Sequence, residues 1–201
     1  MTTLHWQQTH PAWSFWLRWM LATFAGVVAY LIVVTPVMVL IARLLPGGPA
    51  PEVQSPLWLG MGLFGAAIGL AQWFVLRRLL RHAGWWVPAT MAGYGAPYVL
   101  GLMLPGQAMD LAGPASMFLA FGLVLGIAQW LVLRGQVTHA AWWIVISVAG
   151  WLVALALIGL AFVSGLYVEP FDMLSAFLVP VAVSGGGMAW LLHGGTISRV
   201  R

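Results

Sequence analysis

The sequence predicts an all-α integral membrane protein: six transmembrane helices in three hairpins related by a pseudo-threefold axis, one hairpin split between the termini. Three observations carry that prediction. Apolar residues make up 62% of the 201, charged residues 6%, and mean hydropathy is +0.97, so polar surface is too scarce to cover a water-soluble globule. Six apolar runs are each long enough, at roughly 20 residues, to cross about 30 Å of hydrocarbon. Residues 64–93 recur as residues 121–150 without a gap, with 15 of the 30 positions identical. The runs show no in/out alternation, and an open sheet edge has no hydrogen-bond partners in lipid, so the spans are read as helices.

The first run, 19–45, carries Ala22-Thr23-Phe24-Ala25-Gly26 behind Trp19, a pattern that returns as Ala89-Thr90-Met91-Ala92-Gly93 behind Trp86. It therefore matches the second half of a hairpin. Ahead of it, His5, Trp6, His10, Trp13 and Trp16 point to an amphipathic segment on the inner membrane surface, with partner docking as the second reading. Residues 1–14 lack the apolar core and cleavage site of a secretory signal, so the first helix is expected in the mature protein. Runs 56–76 and 85–104 form one complete hairpin, and runs 114–133 and 142–166 form the second. In the last run, 174–192, Ala182, Gly186 and Trp190 keep the spacing of Gly122, Gly126 and Trp130. It thus matches the missing first half, and packing it beside the first helix closes a ring. Pro36, Pro88, Pro97 and Pro180 are expected to kink their helices, and Gly185-Gly186-Gly187 to make the last helix the least regular.

Charge predicts orientation. All eight basic residues are Arg. Arg18, Arg77, Arg78, Arg81, Arg134, Arg199 and Arg201 fall at one end of the helices, whereas Glu52, Asp110, Glu169 and Asp172 fall at the other, joined there by Arg43. The Arg-rich end is expected to be cytoplasmic, with both termini inside and the chain a multi-pass protein of the inner (cytoplasmic) membrane. Topology accounts for the basic pI, so no nucleic acid is expected; the lipid bilayer and other membrane subunits are the expected partners. Cysteine is absent, which removes disulfides and thiolate metal sites.

The repeated residues divide into two sets. Gly65/Gly69 and Gly122/Gly126 stand four apart on one helix face, and Gly93 and Gly150 recur in the second halves; they are expected to be helix-packing surfaces. A flat carotenoid, quinone or tetrapyrrole on those faces is the alternative. The second set is Gln72-Trp73, Arg77 and Trp85-Trp86, with its copy Gln129-Trp130, Arg134 and Trp142-Trp143. Trp73 and Arg77 are one helical turn apart, so the guanidinium stacks on the indole near the headgroups. An aromatic belt that anchors the chain is the first reading, and a lipid or cofactor headgroup site the second.

His82 and His139 occupy equivalent loops, but carboxylates that would complete a metal site lie across the membrane, so no metal is predicted. His193 is a weak candidate axial ligand for a tetrapyrrole. No nucleophile, base and orienting acid can be assembled, and no ionisable group sits at membrane depth. No enzymatic activity is therefore expected.

The Ala-Gln-Trp, Arg and Trp-Trp pattern, as at Ala71-Gln72-Trp73, Arg77 and Trp85-Trp86, resembles hairpins of uncharacterised bacterial multi-pass membrane proteins. The resemblance covers about residues 60–155 and implies no function. The expected role is a non-catalytic accessory or scaffolding subunit of a larger membrane complex, possible hosts being bioenergetic or photosynthetic. The alternative is a small channel or facilitator along the ring axis, which needs Gln72 and Gln129 to face inward. A lipid-modifying enzyme is a third reading and lacks an acidic or His cluster.

Overall fold

The computed structural model describes residues 12–44, 57–103, 106–165 and 171–194. His5, Trp6, His10, Glu52, Glu169, Arg199 and Arg201 lie outside them, as do the side chains of Arg43, Trp58, Asp110, Asp172 and His193.

The regular structure of these residues is helical. Helix α1 (Ala12–Ala29) runs through a π-helical turn (Tyr30–Val34) into α2 (Thr35–Leu44); α3 (Leu57–Leu76) follows; a 3-10 turn (Ala83–Trp85) leads into α4 (Trp86–Met103); then come α5 (Gly106–Leu133), α6 (Trp142–Val163) and α7 (Phe171–Gly194). Among the described residues four segments are long and apolar enough to cross a membrane: Ala12–Leu40, Leu59–Leu76, Ala115–Leu133 and Trp142–Val163. The protein is therefore a helical membrane protein. In α7 the apolar stretch Phe177–Leu192 is shorter, and α4 is diluted by Pro88, Thr90, Tyr94, Pro97, Tyr98 and three glycines.

The chain departs from its sequence expectations where backbone chemistry intervenes. Helix α1 begins at Ala12, so Trp13 and Trp16 belong to it rather than to a separate surface segment. Pro36 has no N–H to offer and its ring crowds the carbonyl one turn back; the helix accommodates this by widening, with the Thr35 N–H donating to Tyr30 O five residues earlier. Pro88 produces no break, because it falls in the first turn of α4, where backbone N–H groups have no intrahelical acceptor. Helices α4 and α7 continue through Pro97 and Pro180. In α5 the path breaks at Gly113, whose φ of 60° and ψ of −174° suit glycine alone, just before Pro114. The Ser116 hydroxyl donates to Gly113 O at 2.8 Å beyond the break.

The helices pack in a closed circuit: α1 touches α3 and α7, α4 lies between α3 and α5, and α6 between α5 and α7. Glycines set the closest approaches. A Cβ on Gly26 would sit 2.8 Å from Ile68 Cα, on Gly93 2.7 Å from Leu125 Cα, and on Gly150 3.1 Å from Pro180 Cα. Each joins a different helix pair: α1 to α3, α4 to α5, α6 to α7. Within the hairpins, a Cβ on Gly65 would meet Thr90 O at 2.6 Å and one on Gly122 Val148 Cα at 2.7 Å. Gly69 is similarly tight against Val87 and Thr90, and Gly126 against Ile144 and Ser147. These faces are filled by neighbouring backbone, which leaves no room on them for a flat pigment or quinone.

Two buried clusters occupy the interior. One, at the Arg-rich end, contains Trp19, Leu76, Trp86, Leu133, Trp143 and Met188. The other lies deeper and is built on Phe64, Ile68, Tyr94, Phe121, Leu125 and Trp151.

Candidate functional site

The repeated polar residues meet in a buried layer where three tryptophans converge. The indoles of Trp19, Trp86 and Trp143 are almost fully buried and pack edge to face, with centroid separations of 5.8 Å (Trp19–Trp86), 5.7 Å (Trp86–Trp143) and 6.4 Å (Trp19–Trp143). That geometry opposes the positive ring edge to a negative ring face.

Each indole N–H has a partner on another helix. Trp86 Nε1 donates to Gln72 Oε1 at 2.9 Å, and Trp143 Nε1 to Gln129 Oε1 at 3.0 Å. The other end of each amide reaches back to the preceding unit: Gln72 Nε2 donates to Thr23 Oγ1 at 3.0 Å, Gln129 Nε2 to Thr90 Oγ1 at 2.9 Å. Both hydroxyls donate in turn to the carbonyl one turn earlier, Thr23 to Trp19 O and Thr90 to Trp86 O. A glutamine is needed here because its amide offers an acceptor and a donor at once, and because a buried indole N–H without a partner is costly.

At Trp19 the link is shorter. Its Nε1 donates to Ser184 Oγ at 3.3 Å, and Ser184 donates to Val181 O. Trp16 Nε1 adds a bond to Ala182 O at 3.0 Å. Ser184 thus accepts the Trp19 N–H as Gln72 and Gln129 accept those of Trp86 and Trp143, five positions before Ala189, which the spacing of Ala182, Gly186 and Trp190 would select. That spacing misplaces α7: Gly186 has nothing within 4 Å and Trp190 is exposed, whereas Pro180 faces Gly150 as Leu125 faces Gly93. A cavity of about 30 Å³ lies beside Ser147 and Ser184, bounded also by Gln72, Thr90 and Gln129.

The remaining site residues separate by helix face. Gln72, Gln129, Trp86 and Trp143 are buried core groups, which corrects their expected role at the lipid headgroups. Trp85 and Trp142 are 68% and 53% exposed and face outward. Trp73 and Trp130 are half-buried against the core, and the Arg77 and Arg134 guanidiniums lie 5.4 and 5.6 Å from their ring centroids. Arg77 also covers Phe74 at 4.9 Å. His82 and His139 are exposed and differ in backbone: His82 has φ −110°, His139 has φ 60°.

The sequence reading missed Thr23, Thr90 and Ser184. The first two were visible as matching residues in the Ala-Thr-x-Ala-Gly pattern; Ser184 carried no signal. Among the described residues no group of three His, Asp or Glu is placed to hold a metal, and the polar side chains of the layer bond one another. Its chemistry is helix locking. Comparison with protein-family models, curated proteins and solved structures finds no match.

Proposed function

We propose that this chain is a non-catalytic, six-span subunit of a larger membrane complex, its six helices forming a ring of three pseudo-threefold units with both termini on the cytoplasmic side of the cytoplasmic membrane. One observation carries the reading: both ends of Gln72 and of Gln129 are spent on neighbouring helices, so neither repeated glutamine is open to a substrate. The ring is supported by the three glycine contacts and three tryptophan links, and by Leu76, Leu133 and Met188, each fully buried at its turn in one cluster. The outer surface supports a scaffolding role. Only 11% of the Ala12–Leu40 window is buried, against 39% for Leu59–Leu76 and for Ala115–Leu133, and Leu31, Ile32, Val33, Val37 and Leu40 form an exposed apolar ridge. A second membrane protein laid along that ridge would bury it with complementary packing.

The channel alternative needs an open axis. Both glutamines do face inward, as it requires. Yet the three indoles close one level, and beneath them Phe121 stacks on Trp151 at 4.9 Å while Phe64 meets Tyr94 and Phe177 at 5.4 Å each.

The test is purification of the tagged chain from its native membrane in mild detergent, with mass spectrometry, a visible absorption spectrum and a photo-crosslinker at Ile32. Stoichiometric partner chains crosslinked at Ile32 are expected. A partnerless protein that conducts ions or small solutes in proteoliposomes would overturn the proposal.

A further inference from the structure

We propose that the outer cleft between the two repeated hairpins, at their Arg-rich end, is a binding site for an anionic phospholipid. The phosphate sits at Arg81, His82 and Arg134, and an acyl chain lies along α4. This deepens the proposed role by naming one lipid and one place for it.

The cleft has a volume of about 720 Å³ and opens outward, within the range of sites that hold small amphiphiles. Its rim carries Arg81 and His82 from one loop and Arg134 from the next. No carboxylate is among the described residues that line the cleft. A phosphate diester offers what two guanidiniums favour: charge-assisted, forked hydrogen bonds.

The rim is held in place. The Arg81 backbone N–H donates to Gln136 Oε1 at 2.8 Å, and Gln136 Nε2 donates to Val132 O at 2.8 Å. One side chain therefore pins the first loop to the second hairpin. Arg134 is steadied on the face of Trp130. Exposed Trp85 stands at the mouth, where an amphipathic ring suits the headgroup level.

Below the rim the walls turn apolar. Pro88, Ala89, Ala128 and Leu131 line the cleft, and the two alanines give it depth where longer side chains would fill it. Pro88 also begins a second trough of about 440 Å³ that continues along Ala92, Gly95 and Val99 of α4. At 1.5 Å per residue the stretch from Pro88 to Val99 is about 16 Å long, close to half of a ~30 Å hydrocarbon core. Cationic rim and apolar trough together fit one leaflet of a phospholipid; a free phosphate would use only the rim.

The experiment is native mass spectrometry of the purified full-length chain, titrated with phosphatidylglycerol, phosphatidylcholine or inorganic phosphate. Phosphatidylglycerol is expected to be retained at least tenfold better than phosphatidylcholine. Arg81→Gln combined with Arg134→Gln should remove that preference, Ala128→Leu should weaken retention several-fold, and Arg78→Gln, outside the cleft, should leave it unchanged. Equal retention of the two lipids, or a double variant that binds as the parent does, would overturn the site. Displacement of the lipid by millimolar inorganic phosphate would overturn the lipid assignment in favour of a free anion. Because binding is read on the isolated chain, this result is separate from whether partner subunits are captured.

Discussion

Replacing Gln129 with Leu isolates the energetic role of the buried layer. Leucine is close to glutamine in volume, so little cavity is added. What is lost is specific: Trp143 Nε1, in a residue 1% exposed, loses its acceptor at 3.0 Å, and Thr90 Oγ1 loses a donor at 2.9 Å. Orphaning a buried N–H costs about 1–3 kcal/mol. Thr90 keeps its own bond to Trp86 O, so its loss is nearer the ~0.6 kcal/mol typical of interhelical bonds in membranes. Together the variant is expected to lose about 2–4 kcal/mol. Trp143→Phe removes the donor itself, and in that background Gln129→Leu has no indole N–H left to orphan. The double variant should therefore fall short of the summed single losses by about 1–2 kcal/mol. Denaturant unfolding in micelles, followed by tryptophan fluorescence, reads all four proteins of the cycle. Additivity within about 0.5 kcal/mol would refute the claim that the Gln–Trp bond holds α5 to α6.

Three further outcomes follow from local geometry. Gly93→Ala puts a methyl group 2.7 Å from Leu125 Cα and should cost about 1–3 kcal/mol by overpacking, while Gly84→Ala, with nothing within 4 Å, should stay within about 0.5 kcal/mol; thermal unfolding in detergent compares them. His139 holds φ 60°, a conformation that costs an L residue roughly 1–2 kcal/mol, so His139→Gly should raise the melting temperature whereas His82→Gly, at φ −110°, should lower it slightly. The Thr138 hydroxyl is buried with no hydrogen-bond partner, so Thr138→Val should be neutral or stabilise by about 1 kcal/mol in the same assay.

How far the site was legible depends on which residues are identical for a packing reason. The pair Trp85-Trp86 repeats as Trp142-Trp143, and composition treats the four alike as interfacial aromatics. A helix separates them: adjacent positions point about 100° apart, so Trp86 and Trp143 enter the core while Trp85 and Trp142 stay outside. The same rotation takes Gln72 inward and leaves Phe74 exposed. The glycines were legible because close approach admits no other residue there. Backbone adjustments were not, since the π turn before Pro36 and the αL turn at His139 depend on how neighbouring turns absorb strain.

The last helix packs differently from what its sequence match suggests. Its Gly186 and Trp190 matched a glycine and a tryptophan of the complete hairpins, but both sit on the outward face, where packing imposes little on sequence. Positions that meet the interior include Pro180 against Gly150, Ser184 against Trp19, and Met188 in the Trp cluster. None of them shares a residue type with its counterpart in Leu125, Gln129 and Leu133. Serine reaches Trp19 but is too short to span to Ser147 as Gln129 spans to Thr90, and both serines line the small cavity of about 30 Å³. Helices α1 and α7 are held by the Trp19–Ser184 and Trp16–Ala182 bonds, while Ser184 makes no counterpart of the Gln129–Thr90 bond to α6. If the ring opens anywhere, the seam between α1 and α7 is the place, and Ser184→Ala, which removes the link at 3.3 Å, should loosen that seam first. Hydrogen exchange in detergent reads it as faster exchange in α1 and α7 than in α3 to α6; uniform acceleration across all helices would mean that the ring unfolds as one unit.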